Sequence, residues 1–464
     1  MVLPIIAAII GIIAFLPLKL YFLSFVFLVP FFYFLSKERS FWKLFLGIII
    51  FRLIFALGIT YYTLESITWI LSLLIFSTIS IVIFILNKLF RNSLFAKLIY
   101  VPLLYILFDM LEARYSFLPT YIITAGNALG TSAFVGLAKH GGLLSLEFFV
   151  ILINSFFLLI FLNFKILIEN KKKIVVIFST IAGLFLFFYF LSEYFLLQSS
   201  QELTDSKKHL KIATVSLNKN FSQYDLQKLS LELENKQADV LVLPEELFRK
   251  TGNKPFTPEE ASQIIKNFHF NVTYIEAGFN LLKQGKKYNT AMLFDNRGNP
   301  IDQYDKNRLT IMGEYWPYSW HPFFYDYLKN NPVAQNYAMF NASNSYVAGN
   351  PKIIKINNGS SDVSFGILIC MEGHYSDLIA GYAKNGAKFI LNPISDRWLF
   401  AGREQFEYLI DNLYSAESMQ SGLPIIVSGI NNFAGTFFPN GTNEIIKNES
   451  GHSYNLIIQD ILYK

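Results

Sequence analysis

The chain has 464 residues, of which 53% are hydrophobic and only 16% charged, with 47 Phe and 26 Tyr, a balance that excludes an ordinary soluble protein. Its single cysteine excludes an intramolecular disulfide. The net charge of +5 averages two unlike halves and gives no reason to expect a nucleic-acid partner. Residues 1–197 are a series of apolar runs, whereas 198–464 carry Asp, Asn, Lys and Glu throughout. The first half reads as a polytopic helical bundle of about seven spans, near 3–16, 20–36, 44–60, 67–86, 94–110, 143–164 and 174–197. No short apolar region with a small-residue cleavage site precedes the first run, so a retained membrane segment is expected there. Basic residues alternate between the connections. Lys37, Arg39, Lys43, Lys88, Arg91, Lys97, Lys165 and Lys171 to Lys173 fall on one side, against Lys19, Arg114 and Lys139 on the other. The positive-inside bias then places the N-terminus inside and residues 198–464 outside. Arg52 falls inside an apolar run, where a charge costs roughly 2.5–3.5 kcal/mol. It therefore needs a partner, for which Asp109 is one candidate and a lipid headgroup another. The stretch 111–142 is too polar and glycine-rich to span, and reads as a re-entrant or surface-lying loop.

Residues 198–209 read as a polar linker, and 210–464 as one layered α/β domain. Predicted strands HLKIATVSL, ADVLVLPEE, NVTYIEAGFN, YNTAMLFDN, PIDQYDK, PKIIKI, DVSFGILIC, AKFILNP, LPIIVSG and AGTFFPNG alternate with helices at YDLQKLSLELENK, TPEEASQIIKNF, HYSDLIAGYAKNG and about 402–420. Thr-Pro-Glu-Glu is a good helix start. An aromatic-rich insert, 312–345, is expected to act as a mobile lid. The closing GHSYNLIIQDILYK is too short and polar for a span, so the outer domain is expected to be tethered at one end.

Three buried strands end in an ionisable residue: VLVLPEE in Glu245 and Glu246, PIDQYDK in Lys306, and FGILIC in Cys370. Carboxyl ends of strands converge in layered α/β folds, so a carboxylate, an ammonium and a thiol can meet there. A free thiol titrates near roughly 8.5 and needs a base or a neighbouring cation to attack at neutral pH. Glu245 can take its proton, and Lys306 can stabilise the oxyanion of a tetrahedral intermediate. Glu246 is expected to point away, as strand neighbours do. Glu314 can hold the Lys306 ammonium in place.

The segments LPE (243–245), YDKNRLTIMGEYWP (304–317) and GILICMEG (366–373), in that order, resemble the nitrilase, or carbon–nitrogen hydrolase, superfamily. The second segment and the hydrophobic first half resemble the apolipoprotein N-acyltransferases, over nearly the whole chain. The resemblance implies a nitrilase-like αββα sandwich fused to the membrane bundle, with Glu245 as general base, Lys306 as oxyanion stabiliser and Cys370 as nucleophile. It also implies that Glu314 and Glu372 support the site and that Trp398, in SDRWLF, is a wall of the substrate pocket. Met371 stands where the family usually carries an aromatic residue and bears on the acyl pocket. No metal and no cofactor are expected. The expected partners are a phospholipid acyl donor, a lipoprotein acceptor and the membrane, for a monomer in a bacterial inner membrane with its catalytic domain on the periplasmic side. A membrane-anchored amidase with the same three residues is the alternative. A transporter-like bundle with an inactive domain is disfavoured by the intact Glu245, Lys306 and Cys370.

Overall fold

A computed structural model describes residues 1–60, 77–90, 93–115, 123–163, 171–206, 208–250, 254–310, 314–315, 346–357, 359, 362–397, 403–447 and 452–463. The chain forms two compact units, Met1–Ser200 with Leu399–Gln420, and Gln201–Trp398 with Ser421–Lys464.

The first unit is helical: α1 (Val2–Ala14), α2 (Leu28–Lys37), α3 (Phe41–Thr60), α4 (Ile79–Leu89), α5 (Leu94–Tyr115), α6 (Ala138–Leu162) and α7 (Lys171–Thr204). Aromatic rings build its centre. Phe31 stacks on Phe51 at 4.0 Å, and Phe55 meets Phe15 edge-on at 5.4 Å and lies against Phe27 at 5.7 Å. Gly11 makes this possible, since a Cβ there would come within 2.7 Å of both Phe27 and Phe55. Among the described residues three helices are long and apolar enough to cross a membrane, Phe41–Ile59, Val135–Leu162 and Val175–Thr204. Val2–Ala14, Tyr21–Lys37 and Ile79–Leu89 are apolar but shorter. At 1.5 Å per residue, α1 reaches only about 20 Å of a roughly 30 Å hydrocarbon core. Seven spans are thus not counted among the described residues, and half of the fourth expected span, 67–76, lies outside them.

Helix Arg403–Ser421 belongs to this unit although its neighbours in sequence do not. Gln405 Nε2 donates to the Phe15 carbonyl (2.6 Å), and Asn127 Nδ2 to that of Leu409 (3.2 Å). Gly130 lets the 123–135 loop close on it, for a Cβ at that position would sit 1.9 Å from the Asn412 carbonyl oxygen.

The second unit begins where the linker was expected. The polar stretch from 198 instead forms the last turns of α7 as far as Thr204, and β1 starts at Lys208. Its polar side chains are compatible with a helix that has no further apolar face to bury. The strands are β1 (Lys208–Leu217), β2 (Ala238–Val242), β3 (Val272–Lys283), β4 (Lys286–Asp295), β5 (Pro300–Asp305), β6 (Ile354–Asn357), β7 (Asp362–Ile367), β8 (Ile390–Ser395), β9 (Ile425–Ile430), β10 (Ala434–Phe437), β11 (Asn443–Ile446) and β12 (Tyr454–Tyr463). Pairing runs β5-β4-β3-β2-β1-β9-β8-β7-β6, with β12 antiparallel to β1 over all ten residues. GHSYNLIIQDILYK is therefore a sheet strand, an element absent from the sequence reading.

The two ends of this path share a core. Ala291, Leu293 and Tyr304 of β4 and β5 pack in one cluster with Ile354, Val363, Phe365 and Ile367 of β6 and β7. The path therefore folds over on itself as a sandwich. The outer face of β1 to β3 is covered by α8 (Gln223–Glu234) and α9 (Pro258–Lys266) through Leu226, Leu229, Leu233, Ala261 and Ile265. The outer face of β7 takes α10 (Ser376–Lys384), whose Tyr382 ring lies over Gly366 and donates to the Ile367 carbonyl (2.9 Å). The layers are helix, sheet, sheet, helix. Both first helices are capped as their sequences suggest, Thr257 with Glu260 and Ser222 with Asp225 forming reciprocal capping boxes.

In the helical unit Arg52 pairs with Asp109 at 2.8 Å, with both side chains at most 1% exposed. Glu147, also buried, lies near Asp109. Removing one partner of such a pair strands a charge in hydrocarbon. Asp109→Ala is expected to lower stability by about 3–5 kcal/mol, and the double change Arg52→Met with Asp109→Leu to recover most of it. Thermal unfolding of the detergent-solubilised protein measures both, and an additive loss in the double variant would contradict the pairing.

Candidate active site

Three loops leaving β2, β5 and β7 carry the chemistry. After β2 the chain turns through Pro244 into Glu245, whose side chain is buried. The turn lies directly on β3, because a Cβ on Gly278 would come within 3.0 Å of the Glu245 Cα. Glu246, at φ +48°, swings the other way, as expected, and accepts from Asn280 Nδ2 (2.8 Å).

Lys306 follows β5 and is 1% exposed. Its backbone N–H donates to the Asn289 carbonyl (2.8 Å), which fixes the start of the loop. Its ammonium lies 3.0 Å from Glu314 Oε1, 3.6 Å from Glu245 Oε1 and 3.5 Å from the Thr310 hydroxyl. Glu314 is no solvated loop carboxylate. Its side chain is 11% exposed, and its second oxygen accepts the Thr310 N–H (2.7 Å). Burial alone would push the Lys306 ammonium down, but Glu314 and Glu245 outweigh it and hold the group well above its ordinary range. The lysine is a fixed cation.

Cys370 ends the run from β7 at φ +56°, in the left-handed region that a side chain rarely adopts. Holding it there costs about 1–3 kcal/mol. Two partners on β8 hold it. Asn392 Nδ2 donates to the carbonyls of Leu368 (2.6 Å) and Cys370 (3.2 Å), and the Ser395 N–H donates to the sulfur. Burial pushes the thiol well above its usual value, Glu245 adds to this, and Lys306 opposes it. The resting sulfur is therefore a thiol and needs a base when it attacks. Glu245 suits that task, since burial raises its carboxyl more than the Lys306 charge lowers it.

Glu372 ties two of these loops together. Its Oε1 accepts the N–H groups of Asn307 (2.7 Å) and Arg308 (2.9 Å) and the Tyr304 hydroxyl (2.8 Å), while Oε2 accepts the Ile369 N–H (2.8 Å). The lysine loop and the cysteine loop thus share one carboxyl group. Met371 lies beside them, 3.8 Å from the Thr310 hydroxyl. Trp398 lies outside the described residues, as does nearly all of the expected 312–345 lid. His374 is buried, and burial pushes it down to about 3, which leaves it neutral.

Sequence reasoning missed Asn289 and Asn392. Asn289 Nδ2 donates to both Glu245 Oε1 (2.8 Å) and Glu314 Oε1 (2.6 Å), spacing two acids around one lysine. The available signal was an amide at the centre of an apolar strand, where it needs partners.

Two family profiles cover most of the chain. The apolipoprotein N-acyltransferase N-terminal domain matches residues 7–156, and carbon-nitrogen hydrolase matches 211–454. The chain belongs to the apolipoprotein N-acyltransferase family. Its second unit is accordingly the carbon–nitrogen hydrolase fold of that family, and the apolar helices of its first unit fit a membrane protein. No curated protein matches the chain. Solved structures similar to it include an amidase from Nesterenkonia sp., at 13% identity over 55% of this chain and 90% of that one, with a TM-score of 0.37. Another is Nit3 of Saccharomyces cerevisiae, a member of branch 10 of the nitrilase superfamily, at 16% identity over 55% and 91%, with a TM-score of 0.37. At such scores neither bears on the function.

Burial also pushes the Glu372 carboxyl up to about 7. A free glutamate titrates near about 4.3, so between the two values the native state keeps a proton that the unfolded chain has released. Stability therefore falls as pH rises through that window. In Glu372→Gln this part of the slope is expected to vanish. Melting temperatures of the two proteins between about pH 4.5 and 7.5 test it, and parallel curves would count against it.

Proposed function

We propose that the protein transfers an acyl chain from a membrane phospholipid to the N-terminal amine of a diacylglyceryl-modified lipoprotein, through a thioester on Cys370. The observation that carries this reading is the buried set of Glu245, Lys306 and Cys370, in a chain whose other half is built of apolar helices. In the first half-reaction Glu245 takes the thiol proton as Cys370 attacks the donor ester. A carbon–sulfur bond forms, the ester carbon–oxygen bond breaks, and the proton passes to the departing lysophospholipid hydroxyl. In the second, the acceptor amine attacks the thioester and gives its proton to Glu245. The carbon–nitrogen bond forms, and the thiolate leaves and is reprotonated. Lys306 stabilises the oxyanion in both steps. Glu314 and Asn289 keep the ammonium aimed and prevent it from collapsing onto Glu245 alone.

The coupling to lipid follows from composition. Both substrates are lipid-embedded, and the membrane half brings the chemistry to them. The alternation of basic connections supports seven spans with the N-terminus inside, a bacterial inner-membrane location and a catalytic unit on the periplasmic side. Met371 and Trp398 are proposed to shape the acyl pocket.

Intact-mass spectrometry of the solubilised protein after exposure to phospholipid tests the reading. One fatty-acyl increment on Cys370 is expected, absent in Cys370→Ala. In Glu245→Gln its formation should slow by about 10²–10⁴-fold, the usual contribution of a positioned base. An unmodified wild-type cysteine, with short amides hydrolysed instead, would replace the transferase by a membrane-anchored amidase.

A further inference from the structure

Beside Glu245 the structure gathers more positive charge than it balances. Glu246, which the proposed mechanism does not use, is fully engaged. One carboxylate oxygen accepts from Asn280 Nδ2 (2.8 Å), and the other pairs with Arg249 NH2. Arg397, half-buried, donates NH1 to the backbone carbonyl of Glu246 (3.1 Å). That carbonyl is neutral, and no carboxylate pairs with the Arg397 guanidinium among the described residues. Lys287, also half-buried, has its ammonium 4.6 Å from the centre of the Tyr346 ring and feels Glu246 as its nearby acid. Three cations thus face one carboxylate, which Arg249 already occupies.

The two guanidiniums repel each other. Burial first, and the Arg249 charge second, hold Arg397 below its ordinary value, with Glu246 opposing. Placing like charges together at a half-buried position weakens the fold, so another anion is the natural counterpart. The cluster borders the reaction site, since the Tyr346 N–H donates to the Glu314 carbonyl (2.9 Å) and the Val347 N–H to that of Lys287 (2.8 Å). Guanidinium forks match the paired oxygens of a phosphate group, and an ammonium adds a third donor.

We propose that Arg249, Arg397 and Lys287 form a subsite for a phosphate oxyanion beside Glu245, which in the acyl-donor reading above is the headgroup phosphodiester of the phospholipid. The subsite holds the donor by its phosphate while the ester carbonyl reaches Cys370. It gives selectivity between phosphodiester and neutral acyl donors and takes no part in bond making.

The test uses the full solubilised chain and the double variant Arg249→Gln/Arg397→Gln, with Arg249→Lys/Arg397→Lys as the charge-keeping control. Acylation of Cys370 is followed with phosphatidylethanolamine and with a neutral p-nitrophenyl ester. The ratio of kcat/KM between the two donors should fall about tenfold or more in the Gln variant, as expected for a lost charged hydrogen bond, and less in the Lys variant. Separately, glycerophosphoethanolamine and inorganic phosphate are added to the p-nitrophenyl ester reaction. Inhibition of the wild type by the glycerophosphodiester alone marks a lipid headgroup, and equal inhibition by inorganic phosphate marks a general phosphate site. Either inhibition should weaken in the Gln variant. An unchanged ratio with unchanged inhibition, or no inhibition of the wild type by either compound, overturns the subsite. If the wild type reacts only with the neutral ester, the acyl-donor reading fails, and the inhibition experiment still decides the subsite.

Discussion

Everything in the reaction centre depends on one buried carboxyl group. Glu372 accepts four donors from two loops that are more than sixty residues apart in sequence, and it sets the distance between the strand that ends in Lys306 and the strand that ends in Cys370. Nothing else described joins those loops so directly. Its burial makes the group costly to ionise, and its four donors make it costly to remove. That is the character of a fixed spacer, whose work is positional.

Around that spacer the charges are arranged so that neither acid nor base is spent at rest. Two acids share Lys306, and Asn289 holds both acids apart. The thiol stays protonated because burial disfavours its charge, and Glu245 stays basic for the same reason. A dry site thus raises both partners of the proton transfer together. The strain stored at Cys370 is borne by β8, through Asn392 and the Ser395 amide, so the nucleophile is presented by one strand and braced by its neighbour.

Much of this was legible in the sequence, for a physical reason. Glu245, Lys306 and Cys370 each end an apolar run, and because a charge inside a buried strand is costly, the strand ends are where such residues stand out. Glu314 and Glu372 could be named from the family resemblance, and Glu314 also because a second carboxylate can hold the Lys306 ammonium. Asn289 and Asn392 gave only the signal of an amide within an apolar strand, because their partners lie in loops that leave other strands and no local pattern names them. The ten-residue β12 was missed for a related cause. Half-exposed side chains and scattered polar residues gave it neither the alternation of a surface strand nor the continuous apolarity of a central one. The 198–209 stretch reads as a linker by composition, yet polar residues extend a helix well when the helix is already nucleated upstream.

The pairing of β1 with β12 has a consequence for how the protein is made. Lys208 meets Tyr463 and Leu217 meets Tyr454, so one edge of an early strand is closed by residues synthesised long afterwards. Through that interval the nascent chain carries an open edge rich in β-branched residues, the kind that recruits stray strands. The sheet of this unit is therefore completed only when the closing segment arrives.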